Sequence, residues 1–159
     1  MNITVLCVGK IKEAYLRDGI GEYAKRLSRY AKLTVTELAD EKTPENASEA
    51  ENLKIINTEG DRILAKIKDS DYVCALAING KMYSSEEFSD YLSKVQITSK
   101  GNLVFVIGGS LGLSEAVLAR AYDKISFSRM TFPHQLMRMI LLEQVYRGYR
   151  IMNHEPYHK

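Results

Sequence analysis

The chain has 159 residues, a net charge of +2 and 45% hydrophobic residues, which is typical of one globular domain that needs no disulfide or metal to fold. No apolar run approaches the roughly 20 residues that cross a bilayer. The N-terminal segment, MNITVLCVGKIK, is typical of a strand rather than a secretion signal, because it lacks a basic start and a long apolar core. We therefore expect a single cytoplasmic domain spanning residues 1–159.

Strand-like and helix-like segments alternate along the first half of the chain. Residues 3–8 form an apolar run that predicts the first strand, and apolar residues between Tyr15 and Leu27 recur at helical spacing. Residues 33–38 alternate as a strand does, and residues 53–67 return to helical spacing after the loop DEKTPEN. The near-continuous apolar run at 72–78 predicts a central parallel strand that is buried on both faces.

The second half continues this alternation. Asn79-Gly80 predicts a turn after the third strand, and Ser84 with Glu87 predicts a capping box that opens a helix to about Val95. The remaining predicted elements are a strand at 103–107, a short helix capped by Ser114, a strand at 124–128, and a last helix at about 134–151 with Pro133 in its first turn. Five strand–helix units predict an open α/β fold, in which a parallel sheet carries helices on both faces.

The stretch VFVIGGSLGLSE, residues 104–115, predicts a strand, a glycine-rich turn and a helix. The turn lacks the Gly-Lys-Ser/Thr ending of a P-loop, and the first strand lacks the G-x-G-x-x-G of a dinucleotide site. A tight turn that needs glycine for conformational reasons alone remains open. If the third, fourth and fifth strands are neighbours, their exits near Leu76, Gly108 and Phe127 form one ligand crevice.

Charge is spread unevenly along the chain. Residues 120–159 contain seven basic and three acidic residues, a net +4, whereas the remainder carries −2. All three histidines also lie in this last segment. A basic end is typical of a polyanion-binding face, although chance unevenness remains an alternative. Cys7 and Cys74 lie in strand-like runs and are expected to be small buried hydrophobes, and no Cys/His spacing indicates a zinc site or another metal site.

Three segments in order carry a family resemblance: IGGSLGLS, then SFSRMTFPHQLMRMILLEQVYRGYRI, then the terminal PYHK. Together they resemble the ribosomal large subunit methyltransferase H family of the SPOUT superfamily, and the likeness extends to chain length and element order. The resemblance implies an S-adenosylmethionine-dependent enzyme that methylates N3 of a pseudouridine in 23S rRNA on the assembled ribosome. It also implies a homodimer and a deep trefoil knot at the C-terminal end, which no general folding rule predicts.

The resemblance also assigns a cofactor site at the three strand exits. The implied contacts are Leu76, Gly108, Phe127, Ser128, Arg129, Met130, Thr131 and Phe132. Glycine at position 108 would let bare backbone approach the adenosine and the methionine tail. Plain core packing of Phe127 and Phe132 remains an alternative.

Residues that handle the RNA base are expected in the last helix and the terminal PYHK. His158 is a candidate general base, Tyr157 a candidate stacking or hydrogen-bonding group, and Arg147 a third candidate catalytic residue. Candidate substrate contacts are Arg138, Arg150, His154 and Lys159. Three alternatives stay open: a frayed terminus, a structural pair between Arg147 and Glu143, and a structural role for His134.

The last helix is more apolar than one buried stripe requires, which indicates either a subunit interface or a buried central helix. The residues concerned are Leu136, Met139, Ile140, Leu142, Val145 and Tyr146. Rival functions are a non-catalytic RNA-binding or ribosome-associated factor of the same fold and a SPOUT methyltransferase with a tRNA target. An oxidoreductase is disfavoured because the dinucleotide fingerprint is missing.

Overall fold

A computed structural model describes all 159 residues. Five strands and five helices alternate along the chain, in the order β1 Asn2–Val8, α1 Ala14–Leu27, β2 Lys32–Leu38, α2 Glu49–Leu64, β3 Tyr72–Met82, α3 Ser85–Thr98, β4 Asn102–Ile107, α4 Glu115–Arg120, β5 Asp123–Ser126 and α5 His134–Met152. Every strand pair is parallel, and the strand order is β2-β1-β4-β3-β5. The predicted α/β fold with a parallel sheet is confirmed, while the knot stays a prediction.

Helices cover both faces of the sheet, as expected for parallel strands. Alternate residues of β1 point to opposite faces: Ile3, Val5 and Cys7 belong to one core, and Leu6 and Val8 to the other. The larger core lies under α1, α3 and α5, and the smaller one under α2 and α4. The middle of the sheet is therefore inaccessible, and a ligand must approach at the strand ends.

Both cysteines are free and fully buried, one in β1 and one in β3. Burial raises the pKa of the Cys7 thiol to about 11 and that of the Cys74 thiol to about 12. Both thiols therefore stay protonated at neutral pH, which agrees with the expectation of small buried hydrophobes.

Side-chain caps open three helices. Ser48, Ser84 and Ser114 each accept a hydrogen bond from a backbone N–H three residues further on, and Glu87 completes the predicted capping box at α3. Pro133 occupies the N-cap position of α5, one residue before the predicted first turn. The cap at Ser114 fixes where α4 begins and so ends the glycine-rich turn.

The predicted turn at Asn79-Gly80 is wrong, because β3 continues to Met82. The pairing of β3 with β5 shifts register between Leu76 and Lys81, which places residues 77–80 in a bulge within the strand. A Cβ on Gly80 would lie 2.7 Å from backbone atoms of Ile125. Glycine at position 80 thus serves a close approach of β3 to β5 and not a chain reversal.

Candidate functional site

A pocket of about 410 Å³ lies at the carboxyl ends of β4, β3 and β5. These three strands are consecutive in the sheet, as the predicted crevice requires. The chain leaves β4 toward α4 on one face and leaves β3 toward α3 on the other. Such divergence of connections at neighbouring strand ends is where open α/β sheets bind their ligands.

Seven of the eight predicted cofactor residues line this pocket. They are Leu76, Gly108, Phe127, Ser128, Met130, Thr131 and Phe132. The eighth, Arg129, is exposed and is not part of the lining. The side chain of Arg129 therefore does not form the wall between its neighbours Ser128 and Met130.

The glycine turn forms one side of the pocket with almost no side chains. A Cβ on Gly108 would lie 2.7 Å from backbone carbon and oxygen atoms of Gly112, and Gly112 itself has φ +87°. The N–H of Gly112 donates to the carbonyl of Gly109 at 3.1 Å, which closes the turn. The turn therefore needs glycine for its own conformation, and the same glycines leave backbone bare toward the pocket.

Segment 127–132 forms the opposite side and is held by two short-range hydrogen bonds. Ser126 Oγ donates to the carbonyl of Ser128 at 2.9 Å, and the N–H of Met130 donates to Ser128 Oγ at 2.9 Å. Phe127 lines the pocket and also packs edge-on against Phe88 of the core, with ring centroids 5.9 Å apart. The Phe127 ring therefore does both: it packs in the core, as the alternative interpretation expected, and it lines the pocket.

His134 also lines the pocket, a position that the sequence interpretation, which favoured a structural role, did not predict. Its Nδ1 is buried without a hydrogen-bond partner. Burial and the nearby Arg138 guanidinium lower the pKa of His134 and keep its ring neutral at pH 7. The only sequence signal that could have placed His134 in the pocket is its position, because Pro133 alone separates it from segment 127–132.

Arg138 corrects one predicted substrate contact. Its side chain is 1% exposed, and its guanidinium pairs with Glu37 Oε2 at 2.8 Å. Nη2 also donates to the carbonyls of Val8 and Gly9 at 2.9 and 2.8 Å. Arg138 thus joins α5 to the ends of β1 and β2, and its buried guanidinium is not accessible to RNA.

The structure brings the three predicted catalytic residues together in one cluster beside α5. The Tyr157 hydroxyl donates to Glu143 Oε1 at 3.0 Å, and the Arg147 guanidinium lies 4.7 Å above the centre of the Tyr157 ring. Arg147 also pairs with Glu143 at 2.6 Å and with His158 Nδ1 at 3.1 Å. Burial and the Glu143 carboxylate raise the pKa of Tyr157 to about 12, so its hydroxyl stays protonated.

The C-terminal tail is anchored and not frayed. Arg150 pairs with Glu155, and its Nη2 donates to the carbonyl of Pro156 at 2.9 Å. The Tyr30 hydroxyl donates to Glu155 at 2.7 Å. The predicted substrate contact Arg150 therefore holds the tail in this structure, whereas His154 and Lys159 are exposed.

Pocket and tail lie apart within one chain. Arg147, Tyr157 and His158 form what we call the tail cluster. The pocket reaches Met137 on α5, and Arg147 follows ten residues later on the same helix. At the rise of an α-helix this places the two about 15 Å apart along the axis. One chain alone does not bring the tail cluster to the pocket wall.

No group of three or more His, Cys, Asp or Glu side chains is placed to hold a metal ion. None of the helices has the length and apolar character needed to cross a membrane.

Comparisons with known proteins match this chain over nearly its whole length. A family model described as "Predicted SPOUT methyltransferase" matches residues 1–158. Proteins called ribosomal RNA large subunit methyltransferase H from Clostridium novyi, Enterococcus faecalis and Bacillus pumilus are 60%, 58% and 58% identical to this chain, each over the full length of both chains. Among solved structures, a methylase family protein from Neisseria gonorrhoeae aligns with a TM-score of 0.52 over 91% of this chain and 81% of that one, and its 12% identity makes this a likeness of fold alone. Because the family model covers nearly the whole sequence and the relatives match from end to end, the chain belongs to the SPOUT methyltransferase family.

Proposed function

We propose that this chain is an S-adenosylmethionine-dependent methyltransferase that methylates N3 of a pseudouridine in 23S rRNA within the ribosome. The observation that carries the proposal is its full-length identity of about 60% to proteins called ribosomal RNA large subunit methyltransferase H. The pocket at the strand ends supports it independently, because the positions that the family resemblance assigns to the cofactor line one cavity.

The pocket has the size and chemistry that S-adenosylmethionine requires. Its volume of about 410 Å³ falls within the range of small-molecule sites. Apolar side chains including Leu76, Phe127 and Phe132 form much of the wall, and Ser128 and Thr131 add hydroxyl groups. A Cβ on Gly108 would fill part of the glycine cradle. When bound, S-adenosylmethionine would supply a methyl group already activated by its sulfonium.

The chain itself must orient the RNA base and accommodate the charge left when N3 loses its proton. Arg147 is a permanent cation beside His158, and Tyr157 keeps its hydroxyl proton, so the cluster as a whole is suited to stabilise negative charge on the base. Tyr157 also offers a ring on which a base can stack. With His158 they form the cluster that we assign to the substrate side of the reaction.

A homodimer would unite the two parts of the site. Since the tail cluster and the pocket are about 15 Å apart along α5, a second copy can present its tail to the first copy's pocket. The surface for such contact includes Leu136, Met139 and Ile140 of α5, which are only half-buried. Leu142 and Val145, also suggested by the sequence as interface residues, are buried in the core of one chain, whereas Tyr146 is half-buried like the other three.

Two of the four candidate substrate contacts are not free to meet RNA. Arg138 and Arg150 are committed to internal partners, whereas His154 and Lys159 are exposed, as is Arg129. Each phosphate contact contributes salt-dependent affinity. A small number of phosphate contacts suits an enzyme that recognises the assembled ribosome better than one that binds free RNA.

Methyl transfer to ribosomes tests the proposal. Ribosomes from cells that lack the modification are incubated with the protein and tritiated S-adenosylmethionine, and the labelled nucleoside is identified. We expect N3-methylpseudouridine with the native protein and with Gly21→Ala, and loss of transfer with His158→Ala at unchanged cofactor affinity. Label in a different nucleoside, or none with the native protein, would overturn the assignment.

A further inference from the structure

The His158 imidazole is held on both sides by charged partners. Arg147 Nη1 lies 3.1 Å from Nδ1, and Glu86 Oε1 lies 2.8 Å from Nε2. Arg147 comes from α5 and Glu86 from the first turn of α3, so two elements far apart in sequence fix one ring. The contact with Glu86 joins residues 72 positions apart.

The chemistry of these partners determines where the ring carries its proton. A guanidinium has only donors, so Nδ1 must accept a hydrogen bond from Arg147 through its lone pair. A proton on Nδ1 would face an Arg N–H and leave both donors unsatisfied. The ring is therefore the neutral tautomer with hydrogen on Nε2, and that N–H donates to the Glu86 carboxylate.

This tautomer is unsuited to the general-base role expected from the sequence. A base needs a free lone pair within reach of the proton that it removes. On His158 the Nδ1 lone pair is taken by Arg147, and Nε2 already carries hydrogen. The ring can therefore offer a partner one hydrogen-bond donor, the Nε2–H, while the Arg147 guanidinium holds Nδ1 on the other side.

We propose that His158 acts in the reaction as a hydrogen-bond donor through Nε2–H to a carbonyl oxygen of the RNA base, that Arg147 is the positioning residue that fixes this tautomer, and that Glu86 occupies the place of that oxygen in the free protein. This inference rests on the proposed function. The N3 proton leaves to bulk water, and the negative charge that remains is shared between N3 and the two flanking carbonyl oxygens. A preorganised N–H aimed at such an oxygen stabilises the anion that attacks the methyl group.

Glu86 is placed to be displaced. Its side chain is 63% exposed, whereas that of His158 is 26% exposed, so the acceptor lies on the solvent side of the ring. Its neighbour Glu87 is committed to the capping box at Ser84 and is not available for the same role. Its own backbone N–H and the His158 ring hold the pKa of Glu86 below its usual range, so the carboxylate presents a negative oxygen as the ionised base would.

Replacement of His158 by glutamine distinguishes a hydrogen-bond donor from a general base at this position. A glutamine amide carries an N–H at about the reach of Nε2 but accepts no proton at neutral pH. We expect His158→Gln to keep kcat within about tenfold of the native value, whereas His158→Ala and the shorter His158→Asn lose roughly 10²–10³-fold, the cost of removing one oxyanion donor. Equal losses for glutamine and alanine would overturn the proposal in favour of a general base.

Glu86→Gln tests the stand-in role. A neutral amide oxygen competes less well for the His158 N–H than a carboxylate, so the KM for ribosomes should fall. The gain expected from weakening an exposed ion pair is about two- to fivefold. A fall in kcat instead would mean that Glu86 takes part in the reaction, which contradicts displacement.

Nitrogen NMR of the free protein tests the tautomer without any activity. Ring nitrogen shifts distinguish Nε2–H from Nδ1–H, and His158 is assigned by the signal that His158→Gln removes. We expect the Nε2–H form at neutral pH in the native protein and its partial loss in Arg147→Ala. An Nδ1–H form would overturn this inference even if methyl transfer is found, whereas failure of methyl transfer alone would overturn the proposed function and leave the tautomer result standing.

Discussion

Arg138 belongs to the largest fully buried side chains of this protein. Its charge is compensated by Glu37 and by the carbonyls that end β1, so one residue of α5 satisfies backbone groups that the sheet leaves unpaired. Burial of a guanidinium is tolerated only with such partners. We therefore assign Arg138 to the stability of the fold.

Arg138→Met tests this structural role. The substitution keeps apolar volume but removes the cation that pairs with Glu37 and the donor to the carbonyls of Val8 and Gly9. We expect the free energy of unfolding to fall by about 2–4 kcal/mol, the range for removal of one partner of a buried pair, as measured by urea denaturation. The exposed Arg129→Met is the control and should change stability by less than about 0.5 kcal/mol. Equal stability of the two variants would contradict the assignment.

The pocket residues divide into those that the sequence could indicate and those that it could not. Leu76, Gly108 and Phe127 were expected because each ends a strand-like run, and the rest of segment 127–132 came from family resemblance. Arg138 was wrongly predicted to contact the substrate, and the place of His134 in the pocket lining was not predicted, because both positions depend on how α5 is rotated against the sheet. Both residues follow Pro133 within one and a half helical turns, and the local sequence does not determine which of them faces the sheet.

At the scale of elements, periodicity predicted nearly every helix and strand because each pattern is set by local burial. The order β2-β1-β4-β3-β5 was not predicted, because it depends on contacts between segments far apart in the chain. The error at Asn79-Gly80 has the same origin. The dipeptide is a strong turn signal, yet pairing with β5 keeps it inside β3.

Gly80→Ala tests the close approach of β3 and β5. An added methyl group would lie 2.7 Å from backbone atoms of Ile125, which cannot move aside as a side chain can. We expect a loss of about 1–3 kcal/mol in the free energy of unfolding, as for other overpacking substitutions. Gly21→Ala is the matched control, because no atom lies within 4 Å of its new methyl group. It should gain up to about 1 kcal/mol from helix propensity, and a neutral Gly80→Ala would contradict the packing account.

At the scale of the whole molecule, the α5 helix separates the proposed cofactor pocket from the tail cluster. A site built from both parts therefore requires that one copy supplies the pocket and another the tail. This arrangement would explain how a chain of only 159 residues builds a site with two distant parts. The dimer and the knot remain predictions from family resemblance.

Mixing two inactive variants tests the shared site. Gly108→Val removes the pocket, and His158→Ala removes a tail residue, so each homodimer should be inactive. Random reassociation of equal amounts should restore about a quarter of native activity, because half of the symmetric dimers become mixed and each mixed dimer has one complete site. The readout is methyl transfer to ribosomes after joint refolding. No recovery would mean that pocket and tail act within one chain.

Calorimetric titration with S-adenosylmethionine tests the central claim, that the glycine turn and segment 127–132 form a methyl-donor site. We expect binding by the native protein and by Gly21→Ala, no binding of NADH, and loss of S-adenosylmethionine binding in Gly108→Val, whose Cβ would meet Gly112 at 2.7 Å. Folding of the variant is checked by its unfolding transition. Absence of binding by the native protein, or binding that Gly108→Val leaves unchanged, would contradict the site and favour an RNA-binding factor of the same fold.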